Sequence, residues 1–168
     1  MYVNTRSDPH LANGTSLYPH VVLDPQPGEI VHVEGNFDGV EISVDCHLIG
    51  PATFKNLKIN CADVRLTGVD VNGLIVTGVS HVEIYQSKVQ KVSSVICLGG
   101  WQRFIFRNCL ILGDSVITDG ITWRVENCVV ENELYVAKGG LCEAYNSYFV
   151  NAVLGNITLF NSVMGEGK

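Results

Sequence analysis

The chain has 168 residues, of which 46% are hydrophobic and 17% are charged, and its formal net charge is −6 at pH 7. This length fits one domain, and the excess of apolar over charged residues excludes a disordered chain. The acidic charge, without any basic run, excludes nucleic acid and an anionic membrane as primary partners. No apolar stretch reaches the ~18 residues that a spanning helix needs, so we expect no membrane association.

Residues 1–30 differ in composition from the rest of the chain. They contain four of the five prolines, which are Pro9, Pro19, Pro25 and Pro27. Proline removes a hydrogen-bond donor, so this segment does not suit a regular stack of strands. We predict an irregular cap over one end of the domain or an arm that docks onto a neighbouring protein, and one segment can do both. The first eight residues are polar, so we expect no secretory signal.

From Glu29 onward, short apolar runs alternate with polar residues at a period of two, which predicts strands. The runs are too short for helices, and Gly, Asn, Asp or Pro separates them. Between residues 64 and 164, each period of about 20 residues holds about three runs. A glycine closes each period, for example Gly78, Gly120 and Gly139. We therefore predict a coil that turns three corners in each circuit.

A short phrase recurs through the same stretch: an apolar residue, a polar residue, and then Asn, Ser or Gly. Repetition near 20 residues is typical of stacked coils, which bury their inward faces only against each other. We predict that the third residue of each phrase forms a corner with positive φ, a conformation that Gly and Asn adopt most easily. We also predict that Asn108 and Asn127 hydrogen-bond through their side chains. These third residues are Gly68, Ser87, Asn108, Asn127, Ser147 and Ser162.

Two of the coils carry a family resemblance. Residues 104–110 (FIFRNCL) and 123–129 (WRVENCV) resemble coils of right-handed parallel β-helix proteins of the pectin-lyase-like superfamily, including small bacteriophage virion proteins. The resemblance covers about residues 30–164. It implies an all-β fold, a single-stranded right-handed parallel β-helix of about six to seven coils in residues 31–168, preceded by the arm or cap. It implies less about function, because lyases, hydrolases, adhesins and phage virion proteins share this architecture.

Five carboxylates are candidates for the acid chemistry of a polysaccharide hydrolase. Glycosidases need two carboxyl groups about 5–5.5 Å or 6.5–9.5 Å apart, and the sequence permits either distance for Asp119 with Glu126 and for Glu131 with Glu133. However, no Asp-Asp or Gly-His-Gly element of the familiar hydrolases is present, and a β-helix exposes acids on its outer face in any case. We therefore predict no catalytic residue and no enzyme activity. The five candidates are Asp114, Asp119, Glu126, Glu131 and Glu133.

Two further sets of residues recur at one position in successive coils. Arg107, Glu126 and Asn146 form the first set, which predicts a surface pair worth at most about 1 kcal/mol. Cys109 and Cys128 belong to the second set, and we expect stacked, buried, reduced thiols there, with a disulfide as the alternative. The other residues assigned to the cysteine position are Val69, Lys88, Tyr148 and Val163.

The histidines and the two tryptophans are further candidates for binding residues. The histidines show no metal-ligand spacing, so we predict no metal site, and no cofactor motif occurs. We expect Trp101 and Trp123 to be packing residues, although Trp101 follows two glycines and an exposed sugar platform is the alternative. The five histidines are His10, His20, His32, His47 and His81.

The small size, the tight corners and the lack of a recognisable catalytic set favour a building block over an enzyme. We predict a structural protein of a bacteriophage virion, assembled in the host cytoplasm. The most specific form of this prediction is a capsid decoration or cement protein. Residues 1–30 then attach it to the shell, and three copies associate around the helix axis. Its partners are then capsid or tail proteins. The alternatives are a tail-fibre, spike or adaptor module, and a small polysaccharide lyase, hydrolase or carbohydrate-binding protein.

Overall fold

A computed structural model describes residues 2–4, 20–23, 25–78, 80–95, 100–151 and 153–165. All regular structure in these residues is β-strand, and none of them belongs to a helix that could cross a membrane. Parallel strands stack into a β-solenoid of about seven turns, which confirms the predicted fold class. The right-handed winding that the resemblance implies is also the usual sense of connections between parallel strands.

The first coils consist of long strands that run round most of a turn. They are β3 (Glu29–Ile42), β4 (Cys46–Ile59) and β5 (Asp63–Thr77), which follow the short strands β1 (Tyr2–Asn4) and β2 (His20–Leu23). The sequence predicts shorter runs here, but hydrogen bonds to the neighbouring coils continue through the corners. Both β1 and β2 pair in parallel with β3. The described parts of the N-terminal segment therefore lie along the edge of the first coil, where a cap is predicted.

The later coils divide into shorter strands, three to a coil from residue 102 onward, as predicted. The strands are β6 (Ser80–Tyr85), β7 (Lys88–Val95), β8 (Gln102–Arg107), β9 (Leu110–Ile111), β10 (Ser115–Ile117), β11 (Ile121–Glu126), β12 (Val129–Val130), β13 (Leu134–Val136), β14 (Leu141–Tyr145), β15 (Tyr148–Phe149), β16 (Val153–Gly155), β17 (Ile157–Phe160) and β18 (Val163–Met164).

These strands form the three sides of the solenoid. Side one contains β6, β8, β11, β14 and β17, and side two contains β7, β9, β12, β15 and β18. Side three contains β10, β13 and β16, which form a separate sheet. Neighbouring strands on a side lie ~4.8 Å apart. A side chain that repeats in register therefore produces a column along the solenoid.

The core runs through the middle of the coils, because alternate residues of each strand point inward. One inward column on side one contains Val82, Phe104, Trp123 and Cys142, and each of these side chains is at most 1% exposed. Trp123 packs against Phe104 at 6.0 Å and against Phe106 at 4.8 Å between ring centroids. Packing between coils thus holds the solenoid together, as the repeat predicts.

The corner between sides one and two is a single residue in the left-handed conformation. Gly68, Asn108 and Asn127 have φ values of 66°, 54° and 51°, which confirms the prediction for these positions. The prediction was wrong for Ser87, Ser147 and Ser162, because the residue before each of them makes the turn. Gln86, Asn146 and Asn161 have φ values of 48°, 48° and 49°.

The predicted hydrogen bond between asparagine side chains occurs at this corner, but between a different pair of coils. Nδ2 of Asn161 donates to Oδ1 of Asn146 at 2.7 Å. No such bond joins Asn108 to Asn127, both of which the structure describes. At the corner between sides three and one, Gly120 and Gly139 have φ values of 76° and 87°, as the closing glycines predict.

Candidate functional site

The outward residues of side one form a network that we call the polar ladder. Arg65 donates to Glu83 at 2.7 and 2.9 Å, and the hydroxyl of Tyr85 donates to the same carboxylate at 2.7 Å. Arg107 of the next coil donates to the Tyr85 hydroxyl oxygen at 2.8 Å. Burial alone would raise the pKa of Glu83, but these hydrogen bonds outweigh burial, and the pKa lies below its ordinary value. The ladder therefore carries ionised, mutually paired groups.

The polar ladder continues towards the C-terminal coils. Arg107 also donates to Glu126 at 2.5 Å, and Arg124 donates to the other oxygen of this carboxylate. The guanidinium of Arg124 lies 4.6 Å from the ring centroid of Tyr145, which stacks on Phe160 at 4.5 Å. Register thus confirms that Arg107 and Glu126 share a position. The assignment of Asn146 to it was wrong: Tyr145 pairs with Glu126, and Asn146 turns the corner.

Glu126 does not have the properties of a proton donor. Burial would raise its pKa, but hydrogen bonds from Arg107 and Arg124 lower it, and the net pKa lies below the ordinary value. A general acid needs the opposite shift, so that it holds its proton at neutral pH. Glu126 is thus an ionised brace between coils.

Asp119 and Glu126, one of the two candidate carboxylate pairs, lie far apart in the structure. Asp119 precedes β11 and Glu126 ends it, so at ~3.3 Å per residue β11 alone places ~16 Å of backbone between them. The Asp119 carboxylate packs against Gly139, whereas Glu126 binds Arg107. Glycosidase pairs need carboxyls within ~9.5 Å. Asp119 and Glu126 therefore do not form such a pair.

The remaining acids lie at the corner between sides two and three. Asp114 Oδ1 accepts the backbone N–H of Glu133 at 3.3 Å, which braces this corner to the next coil. The side chains of Glu131 and Glu133 are exposed and make no ion pair among the described residues. The structure thus assigns a bracing contact to Asp114.

Cys109 and Cys128 stack in one column directly after the corner, as predicted. The backbone N–H of Cys109 donates to Sγ of Cys128 at 3.3 Å, and the N–H of Cys128 donates to Oγ of Ser147 at 3.1 Å. The predicted companions Lys88, Tyr148 and Val163 were wrong, because these residues pair one position later. The column contains serines instead: its members are Val69, Ser87, Cys109, Cys128, Ser147 and Ser162.

The described thiols are free, which agrees with reduced cysteines. They are Cys46, Cys61, Cys109, Cys128 and Cys142, and Cys97 lies outside the described residues. Burial raises the pKa of Cys46 to about 11 and that of Cys61 and Cys142 to about 12. The pKa of Cys128 is raised by its hydrogen bond to the Cys109 thiol and by burial. The side chains of Cys46, Cys109, Cys128 and Cys142 are buried in the core, and Cys61 packs partly buried against it.

The histidines form separate contacts. Nε2 of His47 lies 2.9 Å from Oγ1 of Thr67, and Nε2 of His81 lies 3.8 Å from Oε1 of Glu83. Among the described residues, no three His, Cys, Asp or Glu side chains are grouped to hold a metal ion. His10 and the side chain of His20 are not described.

The two tryptophans have opposite environments. Trp123 is 1% exposed in the core, as expected of a packing residue, whereas Trp101 is 52% exposed. Trp101 borders a surface concavity of about 510 Å³ at the start of side one. The concavity is lined by His81, Trp101, Gln102, Arg103, Gly120, Thr122, Leu141 and Glu143. The expectation that Trp101 is a packing residue was therefore wrong, because its side chain is exposed, and the sugar platform stays a prediction.

Two columns of exposed apolar side chains follow the solenoid on its other sides. The side-three stripe contains Val116, Tyr135 and Leu154, in register and 54%, 50% and 56% exposed. The side-two stripe contains Val129, Tyr148 and Val163, in register and 37%, 46% and 61% exposed. Sequence reasoning missed both stripes. The structure shows that Ser115 and Ile117, which flank Val116, both point inward, and a buried serine gives no signal in the sequence.

No family model, no curated protein and no solved structure matches this chain.

Proposed function

We propose that this chain is a structural subunit that assembles with copies of itself and with other proteins, and that it does not act as an enzyme. The observation that carries the proposal is the pair of exposed apolar stripes on a solenoid with tight corners. Exposed apolar patches of this kind are typical of interaction sites. The polar ladder of side one, by contrast, is paired internally.

The occupant that we assign to the stripes is a second copy of the chain. Each stripe repeats with the spacing of the coils, ~4.8 Å, so its best complement is a surface with the same spacing. A parallel copy presents one. The stripes lie on different sides of the solenoid, which suits a heterologous contact between the side-two stripe of one copy and the side-three stripe of the next. Heterologous contacts form a ring when the rotation between copies closes, and we propose that they close here into a homotrimer.

The assembly that we propose for this trimer is a bacteriophage virion. The trimer decorates or cements the capsid, and residues 1–30 attach it to the shell; a tail-fibre, spike or adaptor module is the alternative within this class. The support is the resemblance of residues 104–110 and 123–129 to coils of right-handed parallel β-helix proteins, an architecture that phage virion proteins share, together with the short corners of residues 100–151. Partners are then capsid or tail proteins, and the location is the virion.

Light scattering after size-exclusion chromatography tests the trimer. Tyr135→Asp and Tyr148→Asp place a charge in the middle of the side-three and side-two stripes, and each should convert trimer to monomer. Thr118→Asp introduces the same charge at an exposed corner and should leave the trimer intact.

Mixing the two variants makes this test sharper. Each variant retains one intact stripe, so a heterologous ring predicts a mixed dimer and no trimer. A monomeric wild type would refute the trimer. Homodimers of one variant would instead show that a stripe binds itself.

Particle binding and hydrolysis assays test the virion assignment. A variant without residues 1–30 should remain folded, by circular dichroism, and should no longer bind phage particles. Loss of folding would make the segment a cap instead, as the pairing of β1 and β2 with β3 allows. Incubation with acidic and neutral polysaccharides should yield no new reducing ends and no unsaturated products, and turnover would overturn the non-enzymatic proposal.

A further inference from the structure

The backbone that carries the exposed Trp101 side chain is hydrogen-bonded to neighbouring coils. The carbonyl of Trp101 accepts the N–H of Ser80 at 3.3 Å, and the N–H of Gln102 donates to the carbonyl of Gly120 at 2.9 Å. The buried side chain of Gln102 donates to the carbonyls of Val76 and Gly78 at 3.2 and 2.9 Å. The position from which the Trp101 indole projects is thus fixed, which lowers the entropic cost of ordering the backbone when a ligand binds.

Arg103 differs from the other arginines on this part of the chain. Arg65, Arg107 and Arg124 each bind a glutamate within the polar ladder. Arg103 is exposed and makes no ion pair with any described residue. Its register partners are His81 and Thr122, neither of which carries negative charge. Arg103 therefore presents a cation that has no ion-pair partner among the described residues, in the same concavity as Trp101.

The same concavity contains acceptors for hydroxyl groups. Thr122 lies one coil beyond Arg103, and Glu143 lies in the following coil, on the outward side of β14. Neither Arg103 nor Glu143 forms an ion pair among the described residues. A carboxylate accepts hydrogen bonds, and a threonine hydroxyl both donates and accepts them. The site thus combines an aromatic face, one cation and two groups that bind hydroxyls.

We propose that this concavity binds a sugar residue that carries a carboxylate, such as a uronic or sialic acid unit of an acidic glycan. The C–H face of the pyranose packs on Trp101, Arg103 pairs with the sugar carboxylate in a charge-assisted contact, and Thr122 and Glu143 bind ring hydroxyls. A nucleic acid is disfavoured, because it requires several phosphate contacts, whereas this site has one arginine beside a glutamate and the chain carries −6. This binding goes beyond the assembly role, and its test does not depend on that role.

Nuclear magnetic resonance of the ¹⁵N-labelled full chain tests the proposal, with the two indole N–H signals as reporters. Titration with sodium galacturonate, glucuronate or N-acetylneuraminate should shift the Trp101 signal saturably and leave the buried Trp123 signal in place. Galactose and glucose should bind about tenfold more weakly, because they lack the charge-assisted contact. Sodium acetate controls for a simple anion.

Four variants identify the residues by saturation transfer from protein to sugar. Trp101→Ala should abolish the signal, and Arg103→Ala should remove the preference for acidic over neutral sugars. Phe160→Ala and Arg65→Ala are the matched controls, an exposed aromatic and a paired arginine elsewhere on side one, and they should bind as wild type. Equal affinity for galactose and galacturonate, a full shift with acetate, or no shift with any acidic sugar up to tens of millimolar would each overturn the proposal.

Discussion

The two tryptophans allow one substitution to be compared in two environments. Trp123→Ala removes a side chain that is 1% exposed and packs on Phe104 and Phe106 at 6.0 and 4.8 Å. Burial of ~200 Å² at ~25 cal/mol per Å² contributes ~5 kcal/mol, and the unfolded chain already buries part of this. Measured losses for such core substitutions are ~3–5 kcal/mol. We therefore expect Trp123→Ala to lower the free energy of unfolding by ~4 kcal/mol.

The same change at Trp101 should have little effect. Its ring is 52% exposed, and surface substitutions of this kind usually change the free energy of unfolding by no more than ~0.5 kcal/mol. Urea unfolding followed by far-ultraviolet circular dichroism measures both variants, and an unchanged slope against urea shows that the denatured state is the same. A loss below ~1 kcal/mol for Trp123→Ala, or equal losses for both, would refute the inward column of side one.

Three further predictions concern the corner, the polar ladder and the thiols. Asn127→Ala should cost ~1–2 kcal/mol of stability, because φ there is 51°, whereas Asn127→Gly should stay close to wild type; equal losses would contradict the left-handed corner. Glu126→Gln should cost up to ~1 kcal/mol at pH 7. Since the folded pKa of Glu126 lies below the ordinary 4.5, this stability is present above pH 4.5 and disappears as pH falls through the folded pKa, so both proteins should converge in acid; a constant difference would contradict the ion pair. In a variant with Cys61→Ser and Cys97→Ser, the four remaining cysteines are buried, so a thiol reagent should label the native protein far more slowly than the unfolded protein; rapid native labelling would contradict their burial.

The architecture of stacked coils could be predicted from the amino-acid sequence alone. Apolar residues at a period of two predict strands, and their repetition near 20 residues predicts stacked coils with the core between them. Asn108 and Asn127 mark the corner because asparagine enters the left-handed conformation more easily than other residues with a Cβ. These signals are local, so they can be read without knowing which strands are neighbours.

Register across coils was only partly predictable. Aligning Asn108 with Ser87, Ser147 and Ser162 shifts three coils by one residue, and this shift produced the errors at Asn146 and at the cysteine column. Aligning Asn108 with Asn146 would have avoided the errors in the C-terminal coils. Because side chains alternate between faces, a slip of one residue exchanges inward and outward positions.

Which side chains are exposed to solvent could not be read from the sequence and follows from the three-dimensional fold. Trp101 and Trp123 look alike in sequence, yet one borders the concavity and the other fills the core. Val116 and Tyr135 likewise face outward although their strand neighbours are buried. Burial of a side chain depends on where the inward–outward alternation of its strand begins and on which coil packs against that strand. Contacts between strands of neighbouring coils set both, and these contacts join residues 15 to 22 positions apart in the chain, for example between β14 and β17 and between β6 and β8.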